Sequence, residues 1–317
     1  MKRRQVSTKC GGVDVGKRWL DAAVHGLEGT VHVPNDVAGV RELMAWLGSH
    51  GVRRVGLEAS GGYERLACSG LAAAGFEVVL HQPLEVKLFA RLKRLRAKND
   101  RIDAVLIAAA TAQVDAVKAA ADPRLQELAE RLTAYEQITD QLAELRTFME
   151  HVRLKDVASA LRRQIAGLAK LKQQLAQQVI TRLKAHPDLL ARFRLLQSLP
   201  GIGPIVAASL VVRMPELGQM RRGQAAALAG VAPFDRDSGQ FKGLRFISGG
   251  RRRPRRLLYL AALSAKRCDP TFKAAAAKLL ARGKPKKVTL VAVMRRLIEA
   301  ANLVLARGQP WTKTANA

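Results

Sequence analysis

Between Pro123 and Pro187 the sequence has no further proline and a single glycine, Gly167. A stretch this free of both breakers can run as helix without interruption. Its apolar residues fall at Leu125, Leu128, Leu132, Tyr135, Ile138, Leu142, Leu145, Met149 and Val152, in steps of three and four. That spacing is close to a heptad seam. A second series runs through Leu154, Val157, Leu161, Ile165, Leu168, Leu171, Leu175 and Val179. The pattern predicts one very long helix or a helical hairpin bending between His151 and Asp156. Such a seam packs against another helix and serves oligomerisation or domain spacing rather than chemistry. It divides the chain into an N-terminal domain over 1–122, a coiled-coil segment over 123–187 and a C-terminal domain over 188–317.

The first part reads as α/β. Gly11–Val15, Trp19–Val24 and Thr30–Val33 are short apolar runs separated by turn residues, including Gly26 and Gly29. Asn35 is placed to cap a helix carrying Val40, Leu43, Met44 and Leu47. Arg54–Leu57 is a buried strand ending at Glu58, and Ser60 reads as a cap before Gly61, Gly62 and a helix through Leu66 and Leu71. Glu77–Leu80 is a further strand. Three strands in a meander, followed by alternating helices and strands, is the order of a ribonuclease-H-like domain; a doubly wound sheet would lack the opening meander.

The third part reads as mostly helical. Leu199-Pro-Gly-Ile-Gly-Pro leads into the apolar run Ile205–Val212, the layout of a helix-hairpin-helix. Gly201 and Gly203 would let backbone N–H groups approach a phosphate, or simply form a tight turn between packed helices. Gly308 to Ala317 reads as a frayed tail.

Charge narrows the partners. The chain carries 54 Lys and Arg against 26 Asp and Glu, a net charge of +28. From Lys242 to Lys287 there are 15 basic residues and one acid, Asp269, which is half of that total. A second basic run, Lys87 to Arg101, includes Lys98 and Arg101. With 48% hydrophobic residues the charge sits on a folded body, and the partner it calls for is nucleic acid. Lys242, Arg245, Arg251, Arg252, Arg253, Arg255 and Arg256 are read as phosphate contacts, which position a nucleic acid without reading its sequence. No apolar run approaches the roughly 20 residues needed to span a bilayer. The absence of a signal-like apolar core and the three scattered cysteines, Cys10, Cys68 and Cys268, fit a cytoplasmic, nucleoid-associated protein.

Four acids stand out against this background. Asp14 lies within the first strand, Glu58 ends the fourth, and Asp100 and Asp103 open an apolar helix three residues apart, on one face. Each has a bland reading: a turn residue, a strand-end charge, a helix cap with a favourable first-turn charge. Taken together, in the order strand, strand, helix, they would converge where the final helix crosses neighbouring first and fourth strands. Such a cluster is the usual way to hold two Mg²⁺ ions about 4 Å apart for in-line phosphoryl chemistry.

Asp14 in Gly-Val-Asp-Val-Gly-Lys, Glu58 in Leu-Glu-Ala-Ser-Gly-Gly-Tyr, and Lys98-Asn-Asp-Arg-Ile-Asp-Ala resemble the DEDD motifs of the "IS one-hundred-and-ten" family of insertion-sequence transposases. Leu199-Pro-Gly-Ile-Gly-Pro, Gly230-Val-Ala-Pro-Phe-Asp-Arg-Asp-Ser-Gly and Gly249-Gly-Arg-Arg-Arg-Pro-Arg-Arg-Leu-Leu-Tyr are similar to that family's second domain. The resemblance spans roughly residues 10 to 305. It implies a RuvC-like nuclease domain, a coiled coil and a C-terminal transposase domain. It further implies a noncoding bridge RNA that pairs with donor and target DNA, a homo-oligomer (dimer or tetramer), and a serine nucleophile at the position of Ser238. Read from its own neighbours, Ser238 is a turn residue between Asp237 and Gly239. Two other nucleophiles compete: Tyr259, which on an apolar helix reads more simply as core, and Ser60, read as a helix cap. A structure-specific nuclease resembling a Holliday-junction resolvase, or a non-catalytic nucleic-acid-binding protein, remains as an alternative.

Overall fold

The computed structural model describes residues 9–93, 100–115, 122–235, 243 and 245–312, with the backbone alone for residues 100–102. The chain forms two compact units, Met1–Ala120 and Ala121–Ala317.

The first unit is an α/β layer. Strands β1 (Cys10–Val15), β2 (Trp19–Val24) and β3 (Thr30–Pro34) form an antiparallel meander. Helix α1 (Val37–Ser49) then returns the chain to β4 (Arg54–Glu58), and α2 (Arg65–Ala73) to β5 (Glu77–His81). Both later strands run parallel to β1, giving the order β3-β2-β1-β4-β5. The alternating strand pattern sends Val13, Leu20, Val33, Val55 and Leu57 into a core with Val40, Leu43 and Leu47 of α1 and Leu71 of α2. Helix α1 is capped by Asp36, whose side chain accepts from Gly39 N at 2.8 Å, and not by Asn35. Asn35 instead spans two loops. Ser60 caps no helix either: its hydroxyl donates to Glu64 Oε2 at 3.0 Å, and α2 starts five residues later.

Helices α3 (Pro83–Leu92) and α4 (Asp100–Thr111) complete the unit, and α4 packs on β1, β2 and β4. Glycine makes this approach possible. A β-carbon built on Gly12 would lie 2.1 Å from Ala108 N and 2.4 Å from Ala104 O. One built on Gly56, the residue paired with Gly12 on the next strand, would lie 1.8 Å from Thr111 Oγ1. The helix backbone thus rests directly on the backbone of β1, and the Thr111 hydroxyl on that of β4.

The second unit is helical apart from one short hairpin. Helices α5 (Pro123–Met149) and α6 (Lys155–Lys184) form an antiparallel pair joined by residues 150–154, so the hairpin, not a single long helix, is what the proline-free stretch builds. The pairing is visible in Arg182 against Glu127 at 2.7 Å, Arg131 against Gln178 at 2.9 Å, and Lys172 over the Tyr135 ring at 5.3 Å. Leu128, Leu132, Val179 and Leu183 join the core built by α7 (Pro187–Gln197), α8 (Pro204–Arg213) and α9 (Gln224–Leu228). Strands β6 (Pro233–Phe234) and β7 (Phe246–Ile247) form the small hairpin. Helices α10 (Arg252–Cys268), α11 (Pro270–Ala281) and α12 (Lys286–Arg307) close the same core. The chain beyond α12 is tied down at Trp311, which stacks on Phe272 and donates its backbone N–H to Ser198 Oγ at 2.7 Å. Among the described residues no helix is long and apolar enough to cross a membrane.

Gly12→Ala should destabilise the protein by about 1–3 kcal/mol, because backbone and not a flexible side chain occupies the space. Gly48→Ala, where nothing lies within 4 Å, should stabilise α1 by roughly 0.5–1 kcal/mol. Urea denaturation of the two variants checks both signs.

Candidate active site

Gly12 faces α4, and side chains two apart on a strand share a face, so Asp14 points to the α4 side of the sheet. The same argument from Gly56 puts Glu58 on that side. The parallel register pairs Val13 with Leu57, so Asp14 and Glu58 follow as neighbours on adjacent strands. Each is partly buried. Asp14 Oδ1 accepts from Val15 N at 3.0 Å. Asp103 is half-buried near the start of α4, one residue before the Ala104 carbonyl that meets Gly12. Asp100 is the first residue of α4, and its side chain lies outside the described atoms.

The registers extend this pair into a row across all five strands. Asp14 pairs with Asp21 on β2, Asp21 with His32 on β3, and Glu58 with His81 on β5. His32 Nδ1 lies 2.9 Å from Asp21 Oδ1. His81 is buried. The Thr111 hydroxyl donates to Ile107 O at 2.7 Å, so its oxygen accepts from His81 Nε2–H at 2.9 Å. This bond ties the last turn of α4 to the strand beside Glu58. Burial pushes the His81 imidazole below its ordinary value, and Glu85, 4.0 Å from Nδ1, opposes this. Next to Glu58, the turn Ser60–Gly62 is held by Glu64, which accepts from Ser60 N, Ser60 Oγ and Gly62 N at 2.8–3.1 Å. Burial acts to raise the Glu64 carboxyl, but the hydrogen bonds it accepts outweigh it and hold it below the usual carboxylate range.

The donor chemistry of Asp14, Glu58 and Asp103 suits a hard divalent cation, since all three offer only carboxylate oxygens. Among the described residues no group of three or more His, Cys, Asp or Glu side chains gathers on one point. Two acids of the sheet and one of the helix are brought to the same face, and Asp100 stands one turn before Asp103.

In the second unit Ser238 belongs to the sequence between β6 and β7 and lies outside the described residues, as do Lys98 and Lys242; the Arg101 side chain does too. Beside β6 and β7, Arg245 pairs with Asp235 at 2.5 Å. Tyr259, expected in a core, is 44% exposed on α10.

The arginine run at the start of α10 is engaged with protein groups. Arg251 forks onto Glu216 at 2.5 and 2.7 Å and donates to Arg213 O. Arg253 donates to Glu136 at 2.7 Å, Arg255 to the carbonyls of Gly230 and Gly249, and Arg256 pairs with Asp140. Glu136 also accepts from Arg213 at 3.1 Å, and burial pulls the Arg213 guanidinium down from its ordinary value, with Glu136 opposing. Arg252 is exposed and has no such partner among the described residues. Gly201 (φ +81°) owes its missing side chain to packing: a β-carbon there would lie 2.3 Å from Ala261 O of α10. Gly203 precedes α8 with open space around it.

Sequence reasoning missed Asp21, His32, His81, Thr111 and the true role of Asn35. Asp21 could have been found by pairing the first two strands across their turn; the His81–Thr111 bond joins residues 30 apart and leaves no local signal.

A family model described as "Transposase", of the DEDD IS110 type, matches residues 11–186. A second, described as "Transposase IS116/IS110/IS902 family", matches residues 193–277. The pilin gene-inverting proteins of Moraxella bovis and Moraxella lacunata are each 26% identical over 314 residues, covering 95% of this chain and 97% of theirs.

Two outcomes follow from this geometry. Glu136→Gln leaves two arginines without their shared carboxylate and should cost roughly 3 kcal/mol in chemical denaturation, whereas Arg252→Ala should change stability by less than about 0.5 kcal/mol. Because burial lowers the folded-state value of His81, its protonation favours unfolding. Its contribution is complete above the unfolded value of about 6.5 and is lost as pH falls toward the folded value. Thermal melts from pH 7.5 to 5 should therefore show a loss that is smaller in His81→Gln.

Proposed function

The chain belongs to the IS110 family of DEDD transposases, and from that premise we propose that it cuts and rejoins DNA through Asp14, Glu58, Asp100 and Asp103 in a RuvC-like, ribonuclease-H-like first unit. The observation that carries this reading is the placement of Asp14 and Glu58 side by side on parallel strands, on the face crossed by the helix that bears the other two acids. These carboxylates would hold Mg²⁺, in the family's manner two ions, which supplies charge neutralisation at the scissile phosphate.

Ser238 is the proposed nucleophile. Its hydroxyl oxygen would form a bond to phosphorus while the bond to the leaving sugar oxygen breaks, conserving the phosphodiester energy in a protein–DNA link. Rejoining reverses the step without an external energy source. The relatives named as pilin gene-inverting proteins support a reaction that rearranges DNA. A noncoding bridge RNA choosing donor and target DNA is proposed on the family likeness, and the net charge of +28 accommodates two nucleic acids. A dimer or tetramer is supported by Phe148 and Leu154, left 54% and 66% exposed around the bend of the α5–α6 pair.

Asp14→Asn and Glu58→Gln should abolish strand cleavage in Mg²⁺ while DNA affinity stays within about threefold, since removing a negative charge does not weaken a phosphate contact. Ser238→Ala should abolish the covalent protein–DNA adduct mapped by mass spectrometry. An adduct on Tyr259 would move the chemistry to that residue, and cleavage with no adduct would make the protein a hydrolytic nuclease.

A further inference from the structure

We propose that the turns following β1 and β4 form one preformed platform on which an unpaired DNA base stacks against Trp19. Both turns leave the same end of the parallel pair that carries Asp14 and Glu58. Gly16 N donates to Trp19 O at 2.9 Å and closes the first turn. Asn35 then staples the two together: its backbone N donates to Arg18 O at 2.9 Å, and its side-chain amide donates to Gly16 O at 2.9 Å and Tyr63 O at 3.1 Å.

Trp19 lies two residues before Asp21 on β2 and so stands on the sheet face that carries Asp14. Its ring stacks on His32 at 4.7 Å between centroids and 25° between planes, and His32 is held in turn by Asp21. With one neighbour stacked on its ring, Trp19 is still 43% exposed, and Tyr63 across the Asn35 staple is 49% exposed. Lys17 and Arg18, in the same turn, are exposed and have no carboxylate partner among the described residues. An exposed aromatic held rigid, with two free cations beside it, matches a nucleotide: base on ring, phosphate on cation. The base must be unpaired, because inside a duplex both of its faces are covered by its neighbours. Rigidity favours binding, since little side-chain freedom remains to be lost.

The inference rests on the reading of Asp14 and Glu58 as DNA-cutting acids: a platform at this end of the sheet would seize a base freed from pairing beside the bond to be cut. The occupant is therefore DNA.

The test uses two readouts on the full chain. With Trp46→Phe and Trp311→Phe, Trp19 is the remaining tryptophan, and a short single-stranded deoxyoligonucleotide should quench its emission in step with the anisotropy of the labelled strand. In the otherwise unaltered chain, Trp19→Ala should weaken single-strand affinity about tenfold and leave duplex affinity unchanged, while Trp19→Phe restores single-strand binding. Binding seen by anisotropy with Trp19 emission unchanged, or equal single-strand affinity in Trp19→Ala, would overturn the platform and leave the DNA-recombinase reading standing. Absence of binding to single-stranded and duplex DNA alike would overturn both. Quenching by an oligoribonucleotide and not by the deoxyoligonucleotide would overturn the assignment to DNA.

Discussion

The close approach of α4 to the sheet is the constraint on which the first unit depends. Two glycines on adjacent strands, Gly12 and Gly56, leave room for the backbone of Ala104 and Ala108 and the hydroxyl of Thr111. A helix seated on ordinary side chains would stand several ångströms further out. At that distance the acids opening the helix would stand further from those of the strands. The His81–Thr111 bond fixes the far end of the same helix, so the seat has a groove at one point and a latch at the other.

Much of this unit was legible from sequence because it is built from local signals. Five short apolar runs separated by turn residues gave strands within a residue or so of those observed, and the opening meander gave their order. Asp14 and Glu58 could be placed because a strand end is visible in the sequence. The row formed by His32, Asp21, Asp14, Glu58 and His81 was not legible, since it exists only once register is set on both sides of β1. Asn35 was misread for a similar reason. Asn and Asp are comparable caps, and the neighbouring Asp36 took the helix while Asn35 went to two carbonyls far along the chain.

In the second unit the basic run is tied into the fold as well as exposed. The segment holding Arg251 to Arg256 has almost no acid of its own, which made the arginines look available to phosphate. Arg253 and Arg256 find counter-charges in Glu136 and Asp140, more than 110 residues earlier on α5, and Arg251 finds one in Glu216. These pairs lock α10 against the helical hairpin. Proline-free periodicity pointed to one long helix or a hairpin, and the partners of the hairpin's acids belong to a helix that sequence distance hides.

The proposed function requires that Asp14 and Glu58 of the sheet and the acids opening α4, brought to one face over two glycines, bind a divalent cation. Electron paramagnetic resonance of Mn²⁺ titrated into the DNA-free protein tests it without any turnover. The account predicts saturable binding by the native chain and its loss in Asp14→Asn, with circular dichroism unchanged. Equal Mn²⁺ binding by the native chain and Asp14→Asn would contradict it.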